Sequence, residues 1–128
     1  MVETENLSAD YDVVIVDITK ESLTPSWVTS VDYLKQCKNR VNTRGVVVVS
    51  FLVKDEQHFA TVYRNLHQVF DGQVYVMSLP DHKNIIAFAF NKKAPELNWP
   101  QSRITELEAK YGIEFSIFTK RLMQDNQT

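Results

Sequence analysis

Asp17 closes the apolar run Tyr11-Asp12-Val13-Val14-Ile15-Val16 and is the first residue whose position suits chemistry. A carboxylate at the carboxyl end of a parallel strand stands where open α/β sheets receive ligands. The competing reading is a strand-end carboxylate that binds local backbone amides or water. His58, His67 and His82 share no metal-ligating spacing, so they are read as solvated side chains and no metal is expected. His58 falls in the first turn of a helix and His67 opposite that helix's apolar stripe. Asp81-His82-Lys83 is placed to touch a ligand, yet turns favour these residue types on their own account. Cys37 recurs within a helical apolar stripe and reads as a small core hydrophobe. No Ser/His/Asp or Cys/His arrangement follows from spacing. Trp27 and Trp99 each adjoin a proline-bearing segment. Trp99-Pro100 could anchor an interface, but packing within the chain is the expectation for both.

The elements that must hold these residues follow from apolar periodicity. Tyr11–Ile18 is β-branched with apolar residues on both faces, which suits a strand covered on both sides. Gly45–Val53 has the same character, so the two predict a β-α-β crossover. Between them, Thr24 is placed to cap a helix with Pro25 at its first position. Trp27 or Val28, Val31, Leu34, Cys37 and Val41 would form its apolar stripe. Asp55 opens a second helix with Phe59, Val62, Tyr63, Leu66, Val69 and Phe70 on one side, ended by Asp71-Gly72. Gln73–Leu79 and Asn84–Asn91 then read as an antiparallel hairpin turning at Pro80-Asp81-His82-Lys83. After a polar link, Ser102 is placed to cap a short helix carrying Ile104, Leu107 and Tyr111, closed by Gly112. Ile113–Met123 reads as either strand or helix.

Bulk properties narrow the class. The chain has 128 residues, within the range of one domain, and its 44% hydrophobic and 23% charged content supports a core. The net charge of −2 gives no broad basic surface for nucleic acid or an anionic membrane. No apolar run approaches the ~20 residues that span a bilayer. The single cysteine, Cys37, precludes an intramolecular disulfide and accords with a reducing cytoplasm. The acidic, polar start, Met-Val-Glu-Thr-Glu-Asn, is unlike a secretory signal.

The order of elements and their wording carry a resemblance. Tyr11-Asp12-Val13-Val14-Ile15-Val16-Asp17, the loop with Thr24-Pro25, the helix with Tyr33-Leu34 and Lys38, and Arg44-Gly45-Val46-Val47-Val48-Val49 resemble the spermidine synthase (aminopropyltransferase) branch of the class I methyltransferases. Val69-Phe70 and Asn84-Ile85-Ile86-Ala87-Phe88-Ala89 extend the match over residues 7–92. The resemblance implies an α/β fold, a truncated Rossmann-like methyltransferase sheet of strands four to seven ending in an antiparallel hairpin. Residues 1–128 are expected to form one domain, with 93–128 a C-terminal helical or extended appendage.

The resemblance also frames the site. The matching aspartate of aminopropyltransferases helps bind and deprotonate the attacking amine, which makes Asp17 the candidate catalytic residue. The family pattern there is D-[ST]-x-D-P, whereas this chain reads Asp17-Ile18-Thr19-Lys20-Glu21. Lys20 sets a positive charge where a cationic amine would meet an acid. A polar Q-x-E-like element is replaced by the apolar Ser50-Phe51-Leu52-Val53. Gly45, Gly72 and Gly112 form no G-x-G loop, so no cofactor-binding residue is assigned. S-adenosylmethionine or its decarboxylated form is expected only if another segment or chain supplies the cofactor half.

In that family the strand matching Tyr11–Ile18 lies between two others. Here its outer edge would be open, and a flat Val/Ile-rich edge is a template for association. The expectation is a noncatalytic protein acting as a homodimer or with a partner chain through this edge, unless residues 101–124 fold back over it. The alternative is part of an aminopropyltransferase or methyltransferase completed elsewhere.

Overall fold

A computed structural model describes residues 11–21, 23–79 and 83–126. Four strands, β1 (Tyr11–Val16), β2 (Val41–Leu52), β3 (Val74–Ser78) and β4 (Asn84–Phe90), form one sheet in the order β1-β2-β4-β3. β1 runs parallel to β2, while β4 is antiparallel to both β2 and β3. The expected crossover and the expected hairpin are both present, although residues 80–82 of the hairpin turn lie outside the described residues.

Helices α1 (Val31–Lys38) and α2 (Glu56–Val69) cover one face. Leu34 and Cys37 of α1 and Val62, Leu66 and Val69 of α2 join Val47, Val49 and Phe51 of β2 and Ala87 and Ala89 of β4 in a single core. The small alanines let the helices approach β4, and burial of this apolar surface is the main stabilising contribution. Asp55 caps α2 as expected, its carboxylate accepting from the His58 N–H at 2.7 Å.

Two boundaries differ from expectation. Thr24 does not cap α1. A 3-10 turn, Ser26–Thr29, comes first, and the Ser30 hydroxyl accepts from the Tyr33 N–H at 3.2 Å. Thr24 is buried, and its hydroxyl instead accepts from the Leu52 N–H at 2.9 Å, tying the loop after β1 to β2. Val41 belongs to β2 and not to the helical stripe, so β2 begins ahead of Gly45. The register jumps from Tyr11↔Val41 to Val13↔Val46, setting residues 42–45 against Asp12 alone. Asn91 holds this bulge by donating to the carbonyls of Val41 and Asn42 at 3.0 and 2.9 Å. Gly45 is required inside it, because a Cβ there would stand 2.6 Å from the Val41 Cβ.

The C-terminal region is helical: α3 (Gln101–Tyr111) and α4 (Phe115–Asp125). α3 begins directly after Pro100, so Ser102 lies within the helix and is not its cap. Gly112, at φ 67°, ends it as expected. The Glu108 carboxylate accepts from the N–H and hydroxyl of Ser116, each at 2.9 Å, and thereby caps the first turn of α4. The ambiguous stretch Ile113–Met123 therefore lies mostly in a helix, because its backbone donors find a cap and no neighbouring strand. α4 packs on β3, at the edge of the sheet remote from β1, and does not fold back over β1.

Candidate functional site

The carboxyl ends of parallel β1 and β2 form the candidate site. β1 stops at Val16, and Asp17 follows it, exposed. Among the described residues none donates a hydrogen bond to the Asp17 side chain. The chain then makes a tight turn in which Lys20 and Leu23 exchange both backbone hydrogen bonds, at 2.7 and 3.0 Å. Glu21 sits in this turn at φ 53°, a left-handed conformation unusual for a residue with a side chain. Lys20, Glu21, Thr24, Ser26 and Lys54 line an open pocket of about 400 Å³. Asp17 is not among its lining residues. Lys20, the residue standing where the family pattern has its second acid, is.

The next segment behaves as its apolar text predicts. Phe51 is fully buried in the core. Val53, with Phe59 and Ile85, lines a second open pocket of about 460 Å³ that is apolar apart from the margin near Asp55 and Glu56. No polyamine-recognising polar group comes from Phe51, Leu52 or Val53.

The other candidates disperse. His58 Nδ1 accepts from the Lys54 N–H at 3.1 Å, which supports the start of α2. His67 is half-buried against Tyr63, with ring centroids 4.1 Å apart, and its Nε2 is buried with no partner among the described residues. That corrects its reading as a solvated histidine: burial pushes its pKa below 6.5. His82 and Asp81 lie outside the described residues. Cys37 is buried as expected, and burial raises its thiol pKa, with a hydrogen bond from Tyr33 and the charge of Arg40 acting in the opposite sense. The neutral thiol is thereby favoured and no nucleophile is assembled. Trp27 is 52% exposed and meets Tyr33 edge-to-face at 5.1 Å. Trp99 packs beside Ile104 and Met123 around an open hollow between α3 and α4.

Two features have no signal in the sequence. Lys54 reaches the Lys20 pocket from the far end of β2, 34 residues along the chain, so only the parallel pairing brings them together. Asp125 and Asn126 close the outer edge of β3. The Asp125 carboxylate accepts from the Ser78 N–H and hydroxyl, and Asn126 both accepts from the Val76 N–H and donates to its carbonyl. A carboxylate at a helix C-terminus opposes the helix dipole; the two hydrogen bonds to Ser78 account for its position.

β1, by contrast, has no neighbour on its outer side among the described residues. Val14 and Val16 face α1, while Tyr11, Val13 and Ile15 on the opposite face are 53%, 50% and 72% exposed. The expectation that both faces of this strand are covered is therefore corrected for the described residues. No helix among them is long and apolar enough to cross a membrane.

No protein-family model matches the chain. A polyamine aminopropyltransferase of Chromobacterium violaceum is 31% identical over 102 residues, which cover 78% of this chain and 39% of that protein. A probable spermidine synthase from Corynebacterium glutamicum superposes with a TM-score of 0.63 at 22% identity, over 79% of this chain and 39% of that one. Spermidine synthase from Thermotoga maritima gives 0.62 at 17% identity, over 91% and 41%. Human methyltransferase-like protein 13, solved with SAH, gives 0.59 at 20% identity, over 92% and 50%. The chain thus spans about two fifths of the length of its curated relative. With a parallel β1–β2 pair, an antiparallel β3–β4 hairpin and these likenesses, the chain is spermidine synthase-like and carries a class I methyltransferase-type Rossmann-like fold.

Proposed function

We propose that this chain is a noncatalytic spermidine synthase-like protein that acts by association through its Tyr11–Ile18 edge, with a second copy or a partner chain. The observation that carries the noncatalytic reading is Lys20. It lines the pocket at the strand ends where aminopropyltransferases place an acid, so a polyamine would be repelled there. The exposed Asp17 carboxylate alone offers a single solvated charge, and such charges contribute little to binding. The apolar Phe51-Leu52-Val53 segment supports the same reading. The association reading rests on the uncovered Tyr11, Val13 and Ile15. A cytoplasmic setting accords with the lone buried Cys37.

Titration calorimetry with decarboxylated S-adenosylmethionine, S-adenosylmethionine, 5′-methylthioadenosine and putrescine tests the noncatalytic half. The expected result is no saturable heat from any of the four. Stoichiometric nucleoside binding by this chain would reject the proposal.

A second reading follows from the matched share of the curated relative, 39% of its length. The chain would be part of an aminopropyltransferase or methyltransferase, with the cofactor half supplied by another segment or chain and Asp17 in the catalytic role. Aminopropyl transfer that appears on adding such a half, and disappears in Asp17→Asn, would establish it.

A further inference from the structure

Resting on the noncatalytic reading, we infer that the strand-end pocket of about 400 Å³ binds a compact oxyanion, a small molecule bearing phosphate or carboxylate. Lys20 and Lys54, from the loops after β1 and β2, line this one pocket together with Thr24 and Ser26. The carboxyl ends of parallel strands are where open α/β sheets receive ligands, and the volume suits a small molecule. Neither ammonium group lies within ion-pair distance of an acid among the described residues. Glu21 is the one acid among the described lining residues, so two positive charges there stand against one negative.

A single exposed lysine holds an anion weakly, because solvent screens the pair and both partners lose freedom. This pocket differs in that its frame is fixed. Thr24 is only 7% exposed, and its hydroxyl accepts from the Leu52 N–H at 2.9 Å while donating to nothing among the described residues. A buried hydroxyl has one proton to donate, and leaving it unused is costly. The pocket that Thr24 lines is where an acceptor would stand. The Lys54 N–H is held by His58 Nδ1 at 3.1 Å, and Lys20 by its paired backbone bonds with Leu23. With both lysine backbones anchored, less freedom is lost when the ammonium groups converge on one ligand. Two charged donors and a fixed hydroxyl suit the several acceptor oxygens of a phosphate or carboxylate. A protonated polyamine offers donors only, and meets two like charges.

Titration calorimetry of the full chain in low-salt buffer, with inorganic phosphate and with succinate as probes, tests the assignment. At least one should bind saturably, with a dissociation constant of about 1 mM or below that rises as sodium chloride is added. Phosphate alone would make the ligand a phosphoryl compound, succinate alone a dicarboxylate, and both a compact oxyanion recognised by charge. Lys20→Ala and Lys54→Ala should each weaken binding about tenfold, the effect of losing one charge-assisted hydrogen bond. Glu21→Gln should tighten it about threefold, a direction that no folding defect imitates. Lys92, an exposed lysine past the end of β4, serves as control, and Lys92→Ala should bind as wild type does. No saturable heat from either anion, unaltered binding in both pocket lysine variants, weaker binding in Glu21→Gln, or weaker binding in Lys92→Ala overturns the assignment. Silent anions beside silent nucleosides reject this site and leave the noncatalytic reading intact, whereas nucleoside binding rejects that reading whatever the anions do.

Discussion

The Asp125 carboxylate receives both the backbone N–H and the hydroxyl of Ser78, each at 2.8 Å, across 47 residues of sequence. α4 has no fully buried residue of its own. Much of what holds the helix against β3 is thus this contact and the paired bonds of Asn126 to Val76.

Asp125→Ala should destabilise the chain by about 1–3 kcal/mol, because it removes a charge-assisted acceptor and leaves a part-buried N–H unsatisfied. Asp125→Asn should cost less than half as much. Urea denaturation of the two variants checks this. Equal midpoints for Asp125→Ala and wild type would show that α4 is held by other means.

Gly45→Ala should cost about 1–3 kcal/mol, the range for overpacking a tight site. The added Cβ meets the Val41 Cβ at 2.6 Å and two backbone atoms of Asn42 at 3.1 Å. A thermal midpoint within a degree of wild type would mean that the bulge relaxes without resistance.

His67 sets a pH dependence. Burial lowers its pKa in the folded state below 6.5, so the unfolded chain takes up its proton first as pH falls. Well above pH 6.5 the imidazole is neutral in both states and nothing is lost. Below it, stability declines as the unfolded state binds protons that the native site resists. His67→Gln should flatten the stability profile on the acid side of pH 6.5, read as the denaturation midpoint at each pH. An unchanged slope would assign the acid sensitivity to other groups.

Cys37 should react slowly with thiol reagents at neutral pH and quickly once the chain unfolds, since it is buried and its thiol pKa is raised. Labelling rates in buffer and in denaturant separate the two. Fast labelling of the native chain would place the thiol in an accessible conformation.

Lys20→Asp restores the acid of the family pattern at an exposed position. Putrescine should then give a saturable heat that the wild type lacks, because an attractive charge replaces a repulsive one near the cation. Stability should stay within about 0.5 kcal/mol of wild type, as for surface changes generally. Calorimetry that finds no gain would locate the defect elsewhere in the strand-end loop.

The apolar runs make most of the sheet readable before any coordinates. Val13–Val16, Val46–Val49 and Ile85–Ala89 are continuous β-branched or apolar text, and strand identity and the hairpin follow from them. Thr24-Pro25 has the cap-and-proline pattern and so predicts too early a start for α1, because Ser30 offers a hydroxyl nearer the apolar stripe. The first residues of β2 are hidden in the sequence because Asn42, Thr43 and Arg44 are polar, as a bulge held by a distant Asn91 permits. Within the site, Asp17 and Lys20 are legible from their nearness in the chain. Lys54 and the Asp125–Ser78 clasp are not, because their partners lie 34 and 47 residues away and depend on the tertiary fold.

The place of β1 at the rim of the sheet has a consequence for local opening. β2 is paired on both sides, by β1 and by β4, whereas β1 is held by β2 alone among the described residues. A strand with fewer partners and less burial opens at lower free energy. In dilute solution, amides of Val13–Val16 should therefore exchange with solvent well before those of Val47–Phe51, with β1 the first strand to peel away.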